Sequence, residues 1–183
     1  MKPKNVLITG SPGVGKTTFI RKAIDQLEVE ADGFYTQEMR EGRRRVGFEL
    51  CTLTGEKGIL AHVDIDSPFR VGKYGVDLRS LEELAVVSIR RAIESHRLVI
   101  IDEIGRMELY STTFRQSVLD ALDSSAPLLA TTGPQPLPFL EAIKSRADVR
   151  TIELTLRNRS VLSANILSVL FPASSRDRTD TGY

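Results

Sequence analysis

The sequence is poor in the residues that staple a fold or cross a membrane. Its 183 residues include one cysteine, Cys51, and no tryptophan, and aromatics make up only 6%. A single cysteine excludes a disulfide framework within the chain and fits a reducing, cytoplasmic setting. The two histidines, His62 and His96, stand without partners at metal-ligand spacing, so no zinc centre is expected. No apolar run approaches the roughly 20 residues of a membrane-spanning helix. The apolar run in the basic start MKPKNVLITG, about four residues, is too short for a secretory leader. Neither sign of charge dominates: 25 Lys and Arg against 24 Asp and Glu leave +1, which gives no global field to attract nucleic acid. What is present is 41% hydrophobic and 27% charged, enough at this length to bury a core without metal or disulfide support.

The hydrophobic pattern alternates between two periods. Val6-Leu7-Ile8, closed by Gly10, reads as a buried strand, and Phe19, Ile20, Ala23, Ile24 and Leu27 then recur at helical spacing. Three β-rich runs follow, GFYTQEM (33–39), RVGFELCTL (45–53) and GILAHV (58–63), separated by the turn-like EGRRR and TGEK. Such short spacing predicts antiparallel hairpins. Residues 64–77 read as a loop. Helical period returns with Leu81, Leu84, Ala85, Ser88, Ile89, Ala92 and Ile93. The fully apolar Leu98-Val99-Ile100-Ile101 predicts a central parallel strand. Helices around 112–123 and 137–146, strands at 127–132 and 149–154, and a helix around 158–170 complete the chain. The expected fold is α/β: a three-layer domain over 1–172 with a mostly parallel central sheet and an inserted antiparallel hairpin region at 33–63. A polar tail, 173–183, is expected to fray.

Two motifs carry chemistry. Gly10-Ser11-Pro12-Gly13-Val14-Gly15-Lys16-Thr17 matches the phosphate-loop pattern GxxxxGK[ST] between a predicted strand and a predicted helix. Its four fixed positions arise by chance in roughly one chain of this size in a hundred, fewer in that context. The glycines let main-chain N–H groups reach phosphate oxygens, and the helix N-terminus adds partial positive charge. Lys16 is expected at the β- and γ-phosphates and the Thr17 hydroxyl on Mg²⁺. The second motif, Leu98-Val99-Ile100-Ile101-Asp102-Glu103, has the form of a Walker B strand, with acidic residues delivered to the edge where open α/β sheets bind ligands. Asp102 would hold Mg²⁺ through its water shell. Glu103, directly after it, stands where a carboxylate can orient an attacking water.

GSPGVGKTT, GFYTQEMREGRRRVGFEL, RVGKYGVDL, VIIDEIGRMEL and the late Arg157-Asn158-Arg159 stand in the order seen in one family. The chain resembles the thermostable nucleoside-triphosphatase family from about residue 4 to about residue 170. That resemblance implies a RecA-like P-loop NTPase fold and hydrolysis of nucleoside triphosphates with little base preference. It also implies nucleotide-binding segments at Gly10–Thr17 and at Leu98–Gly105, the latter including Ile104. Relatives often carry lysine where this chain has Arg106.

Further cations are candidates for the γ-phosphate or for a partner: Arg106 beside the acidic pair, Arg70 and Lys73 with Tyr74 in the long loop, and Arg43-Arg44-Arg45 in a turn. For the turn arginines a solvated hairpin tip is the default. Arg157 could stack on a base, and Asn158 could share that role or cap the last helix. The leading expectation is a Mg²⁺-dependent hydrolase of ATP, GTP, CTP and UTP. A P-loop phosphotransferase and a nucleotide-switched nucleic-acid-binding module stand as alternatives. Oligomeric state leaves no signature in the sequence.

Overall fold

The computed structural model describes residues 4–26 and 29–165. Leu27, residues 166–170 of the last expected helix and the tail at 173–183 lie outside the described residues. Strand β1 (Asn5–Thr9) leads through the phosphate loop into helix α1 (Lys16–Gln26). Five strands follow: β2 (Ala31–Glu41), β3 (Arg44–Thr52), β4 (Lys57–His62), β5 (Arg70–Val71) and β6 (Tyr74–Val76). A helical stretch runs from α2 (Leu78–Ser80) through a π-helical segment (Leu81–Val86) into α3 (Val87–Glu94). Then come β7 (Leu98–Ile104), a 3₁₀ turn (Glu108–Tyr110), α4 (Thr112–Asp123), β8 (Leu128–Thr132), α5 (Pro138–Lys144), β9 (Val149–Glu153) and α6 (Arg159–Ala164). Among the described residues no helix is long and apolar enough to cross a membrane.

The nine strands of the described residues join one sheet in the order β5-β6-β4-β3-β2-β7-β8-β1-β9. From β2 to β9 every neighbouring pair is parallel. From β2 back to β5 every pair is antiparallel. The expectation of a mostly parallel sheet with an inserted patch is therefore corrected: the sheet is mixed, with half of its interfaces antiparallel. The cause is the length of β2. Ala31–Tyr35 pair with Leu98–Asp102 of β7, while the same strand runs on to Glu41 and carries the β3 hairpin. The hairpins thus extend the main sheet beyond residue 63. Two further strands lie inside the segment 64–77, which reads as a loop because strands of two and three residues are too short to show a period.

Side-chain alternation sorts the core into two layers. Leu98 and Ile100 of β7 face α1 with Val6, Ile8, Phe19 and Ile20. Val99 and Ile101 face α3 and α4 with Phe34, Ile89, Phe114 and Val118. A strand covered on both faces has to be apolar throughout, which explains the unbroken LVII run. The rings of Phe34 and Phe114 meet edge to face at 6.1 Å and lock β2 to α4.

One ion pair ties β2 to α3. Asp32 is 1% exposed; its Oδ1 accepts from the Gly33 N–H at 2.7 Å and from Arg91 Nη2 at 3.1 Å, and its Oδ2 accepts from Arg91 Nε. Arg91 reaches across from α3 and also donates to Thr54 Oγ1 at 2.9 Å. Replacing Arg91 by alanine leaves a buried carboxylate with one donor, so Arg91→Ala is expected to cost about 3 kcal/mol in urea denaturation. Adding Asp32→Asn to that variant should recover part of the loss. A loss below about 1 kcal/mol in the single variant would show that water replaces the guanidinium at little cost.

Candidate active site

The phosphate loop closes where β1 ends. A Cβ at Gly10 would lie 2.7 Å from the Leu154 carbonyl oxygen, so the loop can pass β9 only as glycine. Gly13 and Gly15 take φ of 78° and 108°, angles that side chains avoid. Between them Val14 is buried and anchors the loop in the core below α1, while Ser11, Pro12 and Gly13 remain exposed. Lys16 opens α1 and curls back over the loop, its Nζ donating to the Gly10 carbonyl at 3.0 Å. The first turn of α1 holds no acidic residue, which leaves its positive end for an anion.

Strand β8 lies between β1 and β7, so the acidic strand stands two strands from the loop, roughly 10 Å at ordinary sheet spacing. The two carboxylates at its end differ sharply in surroundings. Asp102 is 1% exposed and receives a hydrogen bond on Oδ1 from Thr131 Oγ1 of β8, while its Oδ2 is buried with no hydrogen-bond partner among the described residues. Burial pushes its pKa up, opposed by the Thr131 and Thr17 hydroxyls. The Glu103 side chain is 37% exposed, with Oε2 3.5 Å from Lys16 Nζ. The peptide joining the two acids is cis. An orphaned buried carboxylate oxygen beside a threonine hydroxyl fits a hard divalent cation that keeps part of its water shell. Among the described residues no cluster of three or more His, Cys, Asp or Glu could hold a metal ion.

The phosphate loop and Glu103 line a cavity of about 550 Å³, whereas Asp102 lies buried behind its wall. Its lining includes Gly13, Gly15, Lys16 and Thr17 of the loop and Glu103, Gly105 and Arg106 after β7. The antiparallel half of the sheet adds Thr36, Glu38, Arg45, Phe48 and Leu60. Arg106 is exposed and has no hydrogen-bond or ion-pair partner among the described residues. Arg45 is held: Nη1 donates to Glu38 at 2.6 Å, Nε donates to the Tyr74 hydroxyl at 3.0 Å, and the guanidinium lies 5.0 Å from the Phe48 ring centre. Arg45 and Arg40 together hold the Glu38 carboxyl below its usual range.

The remaining sequence candidates fall elsewhere. Arg43 and Arg44 are exposed at the β2–β3 turn; Arg44 and Arg45 belong to β3. Arg70 donates to the Ile65 and Lys73 carbonyls and braces the β5–β6 hairpin, and Lys73 donates to the Arg45 carbonyl at 3.1 Å and ties that hairpin to β3, both outside the cavity lining. Leu98, Val99, Ile100 and Ile101 are core, whereas Ile104 and Gly105 reach the cavity. Arg157 is exposed, and Asn158 spends its amide on the turn before α6, accepting from Thr155 N at 2.8 Å and donating to the Glu153 carbonyl at 2.8 Å. Cys51 is buried, which raises its thiol pKa. His62 accepts from the Asp64 N–H and His96 bonds Ser125.

Sequence reasoning did not single out Glu108. It is 4% exposed and borders the cavity, its Oε2 accepts from the Gly105 N–H at 3.1 Å, and burial lifts its pKa to about 8. The available signal was the spacing Gly105-x-x-Glu108, that of a helix cap whose third residue reaches back to the cap N–H.

A family model described as NTPase matches residues 5–167. The chain is 53% identical over 165 residues to Nucleoside-triphosphatase THEP1 of Thermotoga maritima, covering 90% of this chain and 94% of that one. It is 42% identical over 181 residues to the human Cancer-related nucleoside-triphosphatase, covering 90% and 95%. The crystal structure of THEP1 from the hyperthermophile Aquifex aeolicus superposes with a TM-score of 0.84 at 37% identity, covering 91% of this chain and 99% of that one. The solution structure of the human protein gives 0.80 at 40% identity, covering 93% and 98%. Matched across nearly its full length in both sequence and fold, the chain belongs to the nucleoside-triphosphatase family and is an enzyme of that class.

Proposed function

We propose that the chain is a Mg²⁺-dependent nucleoside-triphosphate phosphohydrolase of broad base specificity on a RecA-like P-loop scaffold. Water oriented by Glu103 attacks the γ-phosphorus in line. The observation that carries this reading is the 3.5 Å approach of Glu103 Oε2 to Lys16 Nζ. A phosphate-loop lysine engages β- and γ-oxygens, so a carboxyl at that distance from its ammonium borders the γ-phosphate and is open to the cavity. The water oxygen bonds to phosphorus, its proton passes to Glu103, and the bond from phosphorus to the β–γ bridging oxygen breaks. Lys16 and the loop amides stabilise charge spreading over the phosphoryl oxygens. Arg106 lines the cavity and has no hydrogen-bond or ion-pair partner among the described residues, which suits it to the same task. Thr17 and, through water, Asp102 would hold Mg²⁺, which when bound neutralises charge on the β- and γ-oxygens.

Base tolerance follows if the base is held by stacking on Arg157, because every base offers a π-face. The relatives are named for nucleoside triphosphates with no base specified. Asn158 contributes by shaping that turn, since its amide is engaged there. One observation favours a second reading. The cavity lining includes the part-exposed apolar side chains of Phe48, Val71, Met107 and Leu137, more apolar surface than a water needs, and a phosphotransferase would use it for an acceptor.

Phosphate release with Mg²⁺ and no acceptor is expected to be comparable from ATP, GTP, CTP and UTP, with diphosphate and phosphate formed one to one. Diphosphate in excess of phosphate in the presence of small alcohols would move the phosphotransferase ahead. Glu103→Gln should lower kcat at least about 100-fold while nucleotide affinity stays within about threefold. Near-wild-type kcat in that variant would remove Glu103 as the base. Lys16→Ala should weaken both binding and turnover, measured by nucleotide titration and phosphate release.

A further inference from the structure

We propose that Glu108 is a positioning residue of the hydrolytic site, gripping the Gly105 N–H from the buried side of the turn and so fixing where Glu103 and Arg106 are presented. The inference rests on the Glu103 reading above.

Gly105 sits between two carboxyl groups. A Cβ built on it would lie 2.9 Å from Glu108 Oε2 and 3.0 Å from Glu103 Oε1. Both oxygens lie that close to one point, so they are at most about 5.9 Å apart, the sum of the two distances. The turn between them is closed from both sides: Glu108 Oε2 accepts from the Gly105 N–H, and the Gly105 carbonyl accepts from the Leu109 N–H at 3.0 Å. Glu103 stands two residues before this clamp and Arg106 one residue after it. Tilting the Gly105 peptide moves both side chains in the cavity, and misplacement by about 1 Å can cost about 100-fold in rate.

A plain helix cap would explain the hydrogen bond but not its setting. Capping carboxylates ordinarily lie at the surface, where they need no desolvation and also complement the helix dipole. Glu108 is buried beside a second acid, an arrangement that costs stability and is typical of functional sites. Burial raises its pKa to about 8, with Glu103 and Asp102 acting in the same direction and the backbone N–H groups of Glu108 and Gly105 opposing. A neutral acid supplies the acceptor oxygen without placing another anion beside a triphosphate, and the amide of glutamine offers the same oxygen.

The test measures kcat, nucleotide affinity and thermal stability for Glu108→Gln, Glu108→Met and Glu108→Ala, each alone and combined with Glu103→Gln. Glu108→Gln should stay within about threefold of wild-type kcat. Glu108→Met and Glu108→Ala, which lack the acceptor, should lose at least about tenfold in kcat with affinity within about threefold. In the Glu103→Gln background the same substitutions should cost much less, because the group they position is already gone. Equal fold-losses in both backgrounds mean a structural role and overturn the proposal. So does a folded Glu108→Gln that falls as far as Glu108→Met, or kcat retained within twofold in both variants lacking the acceptor. If Glu103→Gln alone keeps wild-type kcat, the Glu103 reading has failed, and the Glu108 proposal falls with it for that separate reason. Should Glu108→Met fail to fold, Glu108→Ala and the double variants decide in the same way.

Discussion

Strand β7 has to satisfy two opposite demands, and the rest of the molecule is arranged around it. Its first four residues are buried on both faces, between the α1 layer and the α3–α4 layer. Its next two are carboxylates. Taking Asp102 to 1% exposure would cost several kcal/mol if it were left charged and alone. The neighbouring strand supplies one hydroxyl, from Thr131, and the other oxygen has no hydrogen-bond partner among the described residues. A half-satisfied buried carboxylate at a sheet edge is the feature on which the proposed Mg²⁺ role of Asp102 rests. The parallel neighbours on either side, β2 and β8, make it rigid enough to hold that geometry.

The antiparallel half of the sheet serves the same edge differently. Because β2 continues past the end of β7, it carries Thr36 and Glu38 up beside the acidic end of that strand, and β3 adds Arg45 and Phe48. The charges on this wall are mutually satisfied. Glu38 is shared by Arg40 and Arg45, and Arg45 lies against the Phe48 and Tyr74 rings. The β5–β6 hairpin fastens to that cluster through Lys73. A wall with its charges paired internally does not compete for phosphate, so anion attraction is concentrated on Lys16, the loop amides and Arg106.

How much could be read from the chain alone varied with how local the cause was. The phosphate loop was legible because glycine spacing and a helix N-terminus are local facts, and both appear where they were expected. The apolar LVII run implied a strand covered on both faces, and its side chains alternate between two cores. The β5–β6 hairpin was not legible, since two or three residues cannot display a period and its pairing partner β4 lies eight or more residues away. Nor was the balance of the sheet, because nothing in the β2 pattern reveals that its first half pairs with β7 and its second half outruns it. Arg45 read as one of three turn cations; the fold places it in β3 opposite Arg40, with its side chain reaching diagonally to Glu38.

The amino-acid sequence by itself determined the chemistry that depends on neighbours along the chain: glycines that free backbone amides, a lysine and threonine at the start of a helix, an apolar strand ending in two acids. Tertiary structure alone decided which acid is buried and which faces the cavity, which cations are already paired, and that Glu108 lies beneath Gly105. Those outcomes depend on desolvation and on contacts between residues far apart in sequence, and no local spacing encodes either. Glu103 and Glu108 read alike as letters, yet packing leaves one open to the cavity and seals the other beneath the turn, because only the folded chain decides where water can reach.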